Sequence, residues 1–135
     1  MTKQFLVSAM MAVAMLLAPT SAINAQEAPA FIKNTFPEQG IGPAWEEFQA
    51  VMGPDTALSP KVKELIGLAV AAQVPCDYCV YYHTKAAKEH GASEAEIKEA
   101  LASSALVRQW STMLNGSAYD EENWREEVDA MFSGQ

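Results

Sequence analysis

Ser59-Pro60-Lys61-Val62-Lys63-Glu64-Leu65-Ile66-Gly67-Leu68-Ala69-Val70-Ala71-Ala72-Gln73, followed by Pro75-Cys76-Asp77-Tyr78-Cys79-Val80-Tyr81-Tyr82-His83, carries two consecutive helix starts and the apolar pattern around which the chain is organised. Ser59 supplies a side-chain oxygen for the unpaired N–H groups of a helix start, and Pro60 suits the first helical position, where its missing N–H costs nothing. Val62, Leu65, Ile66, Ala69 and Val70 recur at helical spacing, and the far side, with Gly67, Leu68 and Ala71, is apolar as well. A helix apolar all round is a buried helix. The spacing therefore predicts a core helix over 59–73, with the Glu64 carboxylate on its far side, one turn before Leu68. A Glu in a first turn is also a favourable dipole partner, and the residues alone leave both roles open.

Pro75 then starts a second helix over 76–90, which Gly91 ends. At 100° per residue Cys76, Cys79, His83, Ala86, Ala87 and His90 share one side, while Tyr81, Lys85 and Lys88 fall on the other. A thiolate is the reactive form of cysteine, and two devices favour it here. The helix N-terminus stabilises negative charge at Cys76, and His83, one turn beyond Cys79, is placed to accept that thiol's proton. Cys76 lies seven residues from His83, about 10 Å along the axis, too far for a direct hydrogen bond. This assigns attack to Cys79 and resolution to Cys76: a sulfenic acid on one is captured by the other as a disulfide, which a reductant reopens.

Two other readings fit the same residues. A bridge across a four-residue ring removes little entropy from the unfolded chain, so it would be a weak staple, yet an inert disulfide in an idle oligomeric module remains a rival. Two Cys and two His within fifteen residues also resemble a zinc set. His90 stands about 16 Å beyond Cys79 on a continuous helix, which reduces that alternative to Cys76, Cys79 and His83.

Outward from this pair of helices, residues 26–42 carry Pro29, Pro37, Gly40 and Gly42 and read as an extended N-terminal arm. Pro43 opens an amphipathic helix with Trp45, Phe48, Val51 and Met52 on one side, closed by Gly53-Pro54. Ser93 and Glu96 form a capping box for a helix in which Ile97, Leu101, Ala105 and Arg108 recur, running toward Asn115-Gly116. Residues 120–132 give a last helix with Trp124, Val128 and Phe132 as its stripe. No alternating run reads as a strand, so the expectation is an all-α domain over 43–132 with five or six helices. Its apolar surface, including Trp110, Trp124 and Phe132, exceeds what one small domain buries and implies self-association into a homo-oligomer.

Residues 1–25 read as a signal peptide: Lys3 gives a positive start, 5–18 an apolar run, and 20–25 a small-residue segment with cleavage expected after Ala25, or second after Ala22. The expected location is the periplasm, with secretion as the alternative and no membrane association once the segment is removed. Of 9 Lys and Arg against 17 Asp and Glu, loss of Lys3 leaves eight against seventeen, a mature net charge of −9. Such a surface repels phosphate backbones, which excludes nucleic acid as a natural partner.

With these residues in place, the chain resembles the carboxymuconolactone decarboxylase and alkylhydroperoxidase D (AhpD)-like superfamily, in its thiol-containing branch. The similarity covers 43–105, strongest in Leu58 to Gln73, in Cys76-Asp-Tyr-Cys79-Val-Tyr-Tyr-His83 and in Gly91 to Leu101. The resemblance implies an all-helical, oligomeric protein whose site comprises Glu64, Cys76, Cys79 and His83. Tyr78 stands where alkylhydroperoxidase D carries a further His of its proton relay. The family's lactone decarboxylases generally lack the cysteine pair. The expected function is an exported thiol-disulfide oxidoreductase reducing hydroperoxides, or disulfides, without cofactor or metal, and recharged by a thiol reductant that the sequence does not identify.

Overall fold

The computed structural model describes residues 27–54 and 56–134. The expected signal peptide and its cleavage positions lie outside them. Six helices are present: α1 (Ala30–Thr35), α2 (Glu38–Met52), α3 (Pro60–Gln73), α4 (Asp77–Glu89), α5 (Glu94–Gly116) and α6 (Glu121–Phe132). There is no strand among the described residues, so the fold is all-α as the patterning predicts. No helix among them is long and apolar enough to cross a membrane.

The chain divides into two units within α2, between Glu46 and Glu47. The first unit corrects the expectation of an extended arm over 26–42. α1 is a short helix closed by a bond from the Phe36 N–H to the Ile32 carbonyl, and α2 already begins at Glu38. Pro43, expected to open that helix, lies inside it. The residue before a proline normally avoids the helical region because its Cβ meets the proline ring, and Gly42 has no Cβ to do so. The helix gives up one N–H bond and continues.

The second unit is organised on α3, which packs against α4 and α5. Ser59 caps α3 by accepting from the Val62 N–H, and Pro60 is its first residue, as expected. Its buried positions are Lys63, Glu64, Leu68 and Ala71, and Ala87 of α4 and Ile97 of α5 are buried too. The expectation that α3 is covered all round is corrected: Val62, Ile66 and Val70 are exposed. Two neighbouring helices screen one side of α3 and leave the other open.

Lys63 is a buried cation with a specific use. Its Nζ donates to the Val51 carbonyl at 2.7 Å and to the Gly53 carbonyl, satisfying acceptors at the C-terminal end of α2. The charge there complements the helix dipole. It also ties the end of α2 to α3.

α5 begins with the expected capping box: the Glu96 N–H bonds to Ser93 Oγ, and the Ser93 N–H to the Glu96 carboxylate. Lys61 of α3 donates to the same carboxylate at 2.6 Å, so one side chain caps α5 and joins it to α3. At the far end of α3, Arg108 Nε donates to Gln73 Oε1 at 2.8 Å and its Nη2 to the Gln73 carbonyl. Beyond this bracket α5 has little cover: every residue from 105 to 113 is exposed. α6 follows with no extensive packing on any other helix.

The Lys61 hydrogen bond first, and then the Ser93 N–H and side chain, hold the Glu96 carboxyl down at about 2, against its ordinary 4.5. A carboxyl depressed in the folded state adds stability that is full above the unfolded pKa, near 4.5, and is lost as pH falls through about 2. Glu96→Gln should lower the thermal midpoint at neutral pH and flatten its fall between these limits, as followed by circular dichroism. An acid-side fall identical in the variant would contradict this role.

Candidate redox site

Cys76 is the N-cap of α4. Its Sγ accepts from the Cys79 N–H at 3.3 Å, and the two sulfurs are joined in a disulfide with Cα atoms 5.2 Å apart. Cysteine at a helix start, with the second cysteine one turn in, places both sulfurs near unpaired N–H groups and the positive end of the dipole. The expected helix start at Cys76 thus shifts by one residue, because the cap itself is the cysteine.

One turn further, His83 turns its ring toward α3. Its Nδ1 lies 2.6 Å from Glu64 Oε2. Glu64 is 3 % exposed, so this carboxylate has left water, and the bond from Nδ1–H supplies part of its solvation. With Nδ1 donating to the carboxylate, Nε2 of the neutral ring keeps its lone pair. Glu64 thus lies on a covered side of α3 and not in its first turn, where a dipole partner would stand.

Gly67 makes this pairing fit. A Cβ built there would lie 2.5 Å from His83 Cε1, 2.6 Å from Nδ1 and 2.8 Å from Nε2. The imidazole therefore occupies the volume a side chain at 67 would take, one turn above Glu64 on the same helix. The signal was present in the sequence: glycine inside a helix costs about 1 kcal/mol relative to alanine, which points to close approach by another group.

Tyr82 is a second neighbour not anticipated from the sequence. Its ring stands edge-on to His83 with centroids 5.2 Å apart, and edge-on to Phe48 at 5.9 Å. Burial first, and then the negative charge of Glu64, push its phenol above the ordinary 10.0.

Cys79 and His83 both line an open pocket of about 670 Å³ whose other walls are mostly apolar, including Val51, Met52, Leu58, Ile66, Val70 and Val74. Lys63 reaches it, but its ammonium is held by the α2 carbonyls. Cys76 is not among the lining residues, so the two cysteines differ in what they face. Tyr78, at the position of the relay histidine, is 91 % exposed and does not line the pocket.

Of the four residues singled out in the sequence, the disulfide joins Cys76 to Cys79 and the hydrogen bond joins His83 to Glu64, while Cys79 and His83 line one pocket. Among the described residues no group of three or more His, Cys, Asp or Glu is gathered as a metal site. His90 is the C-cap of α4 and is exposed.

These features define an all-α domain with a buried Glu, paired to a half-buried His, beside a cysteine couple. The chain belongs to the carboxymuconolactone decarboxylase family, whose model matches residues 40–122. An uncharacterized protein of Cupriavidus necator is 44 % identical over 62 residues, which cover 44 % of this chain and 55 % of that protein. The chain thus spans about half of that relative's length. An uncharacterized protein from the cox locus of Paracoccus denitrificans is 34 % identical over 83 residues, covering 62 % of this chain and 69 % of that one. Among solved structures, the alkylhydroperoxidase AhpD core from Rhodospirillum rubrum is similar with a TM-score of 0.58 and 32 % identity, over 62 % of each chain. A protein from Methanobacterium thermoautotrophicum is similar with a TM-score of 0.53 and 31 % identity, over 65 % of this chain and 96 % of that one.

The geometry around Glu64 gives a test independent of activity. An ionised Glu64 disfavours phenolate at Tyr82, so Glu64→Gln should lower that pKa while the larger effect of burial persists. Ultraviolet titration of the tyrosines should show one of the 4 ionising at lower pH in the variant. Superimposable titrations would mean that Glu64 carries no charge near Tyr82.

Proposed function

We propose that this protein is an exported thiol-disulfide oxidoreductase that reduces hydroperoxides with Cys79 as the attacking residue and Cys76 as the resolving one. The observation that carries this reading is the Glu64–His83 hydrogen bond. It holds an imidazole, with Nε2 available as a base, in the pocket that Cys79 also lines. The Rhodospirillum rubrum structure described as an alkylhydroperoxidase core supports the same chemistry, and the apolar residues 5–18 behind Lys3 support export.

Starting from the reduced pair, His83 takes the Cys79 proton and the thiolate attacks the outer oxygen of the hydroperoxide. An S–O bond forms, the O–O bond breaks, and the proton returns to the departing alkoxide, giving an alcohol and a sulfenic acid. The Cys76 sulfur then attacks Cys79 Sγ, releasing water and forming the disulfide present in the structure. Two electrons have passed from two thiols to one peroxide.

A dithiol reductant closes the cycle. Its thiolate attacks Cys76, the sulfur outside the apolar pocket, and Cys79 leaves as the thiolate, the better leaving group beside His83. The donor's second thiol displaces Cys76 and departs as a disulfide. The fully exposed Tyr78 stays outside this proton path.

Peroxide consumption with mass spectrometry of single variants separates the two cysteines. Cys79→Ser should lose turnover, by on the order of a hundredfold or more, while Cys76→Ser should react once and stop at a sulfenic acid or a disulfide between copies. A sulfenic adduct on Cys76 in the Cys79→Ser protein, with none on Cys79 in the reverse variant, would overturn the assignment.

A further inference from the structure

Lys63 keeps one hydrogen-bond donor in reserve. An ammonium carries three, and the Val51 and Gly53 carbonyls accept two of them. The residue is 8 % exposed, yet it lines the pocket shared by Cys79 and His83. Among the described residues no carboxylate pairs with it, and none lines the pocket. The carbonyls solvate this charge without neutralising it. A buried cation lacking a counter-ion is costly, and an anionic group on a ligand would offset that cost. On a chain of net charge −8, Lys63 therefore marks a local place for an anion.

The pocket is also long. Lys63, Ile66, Gly67, Val70, Ala71 and Val74 form one continuous face of α3 along it, about 16 Å at 1.5 Å per residue. α4 runs antiparallel beside that face, because the Cys76 N–H bonds to the Ala71 carbonyl while His83 packs on Gly67. From the level of His83 and Gly67, Cys79 lies one turn in one direction and Lys63 one turn in the other. The two stand about 12 Å apart along the axis. An extended chain gains about 1.2 Å per bond, so roughly ten bonds span that distance.

We propose that this pocket takes a long-chain carboxylic acid, with its carboxylate on the Lys63 ammonium and its chain laid along α3 past Cys79. On the peroxidase reading, on which the reactive group depends, the substrate is such an acid carrying a hydroperoxide partway along its chain, roughly ten bonds from the carboxylate. Cys79 attacks the outer oxygen, and the O–O bond breaks to leave the corresponding hydroxy acid and a sulfenic acid. The carboxylate takes no part in that exchange; it fixes where along the chain sulfur meets oxygen. A neutral apolar hydroperoxide would fill the same walls but leave the ammonium without a counter-ion. A small peroxide would leave the walls uncovered.

The test uses the full purified chain, reduced, with dodecanoic acid and dodecan-1-ol as unreactive probes below their aggregation limits. The acid should block alkylation of Cys79, read by mass spectrometry, at concentrations at least about tenfold lower than the alcohol, because it adds a charge-assisted bond. Lys63→Met should remove that preference. This variant also strips two carbonyls of their donor and can misfold, so the acid-to-alcohol ratio in the wild type decides by itself: equal protection, or none, overturns the proposal. A preference that persists in a folded Lys63→Met protein overturns it as well.

Turnover separates the carboxylate site from the peroxidase reading. A hydroperoxy acid of this class should be consumed with kcat/KM at least about tenfold above its methyl ester. Equal consumption of acid and ester leaves the peroxidase reading standing and overturns the carboxylate site. Protection of Cys79 by the acid, with no hydroperoxide consumed, supports the carboxylate site and overturns the peroxidase reading.

Discussion

The bond between Glu64 and His83 is the constraint on which the rest of this site depends. A carboxylate in an otherwise apolar helix face is expensive unless its oxygens are met by donors, and an unpaired one would protonate or force the helices apart. His83 meets it from α4, which fixes the rotation of α4 relative to α3. Gly67 completes the fit, because any side chain there would compete with the imidazole for the same volume. Once the ring is set in this way, Cys79 lies one turn away on the same helix and shares its pocket.

The cysteine couple acquires its asymmetry from the same geometry. Both sulfurs gain from the start of α4, but Cys79 faces an apolar pocket with a nitrogen base and Cys76 does not line it. In the proposed cycle, substrate and reductant therefore meet different sulfurs. The pocket walls offer a substrate van der Waals contact and few hydrogen-bond partners. Away from Lys63, specificity among hydroperoxides would then rest on shape and apolar area, which discriminate weakly.

Local chemistry made much of this legible in the sequence. Ser59-Pro60 and the Ser93–Glu96 box mark helix starts because their bonds join residues three apart, and both are found as expected. The shared face of Cys79 and His83 follows from helical spacing alone. What crosses between helices was not legible from the residues. Nothing in the spacing of 64 and 83 says that they touch; a glycine inside a helix at 67 signals close approach without naming the group that makes it, and Tyr82 acquires meaning only from that contact. The same limit explains the exposed stripe of α3: apolar character is visible in sequence, but which neighbour covers it is not. At 26–42 the glycines and prolines outweighed a helical register that Gly42 makes compatible with Pro43.

In the proposed cycle Glu64 and His83 act together to favour the Cys79 thiolate. Alkylation of the reduced protein across a pH series, resolved by mass spectrometry between the two cysteines, addresses it most directly. Cys79 should react with an apparent pKa well below the about 8.5 of an ordinary thiol, and His83→Gln should return it toward that value. A Cys79 profile near 8.5 in the native protein, unchanged by His83→Gln, would contradict it.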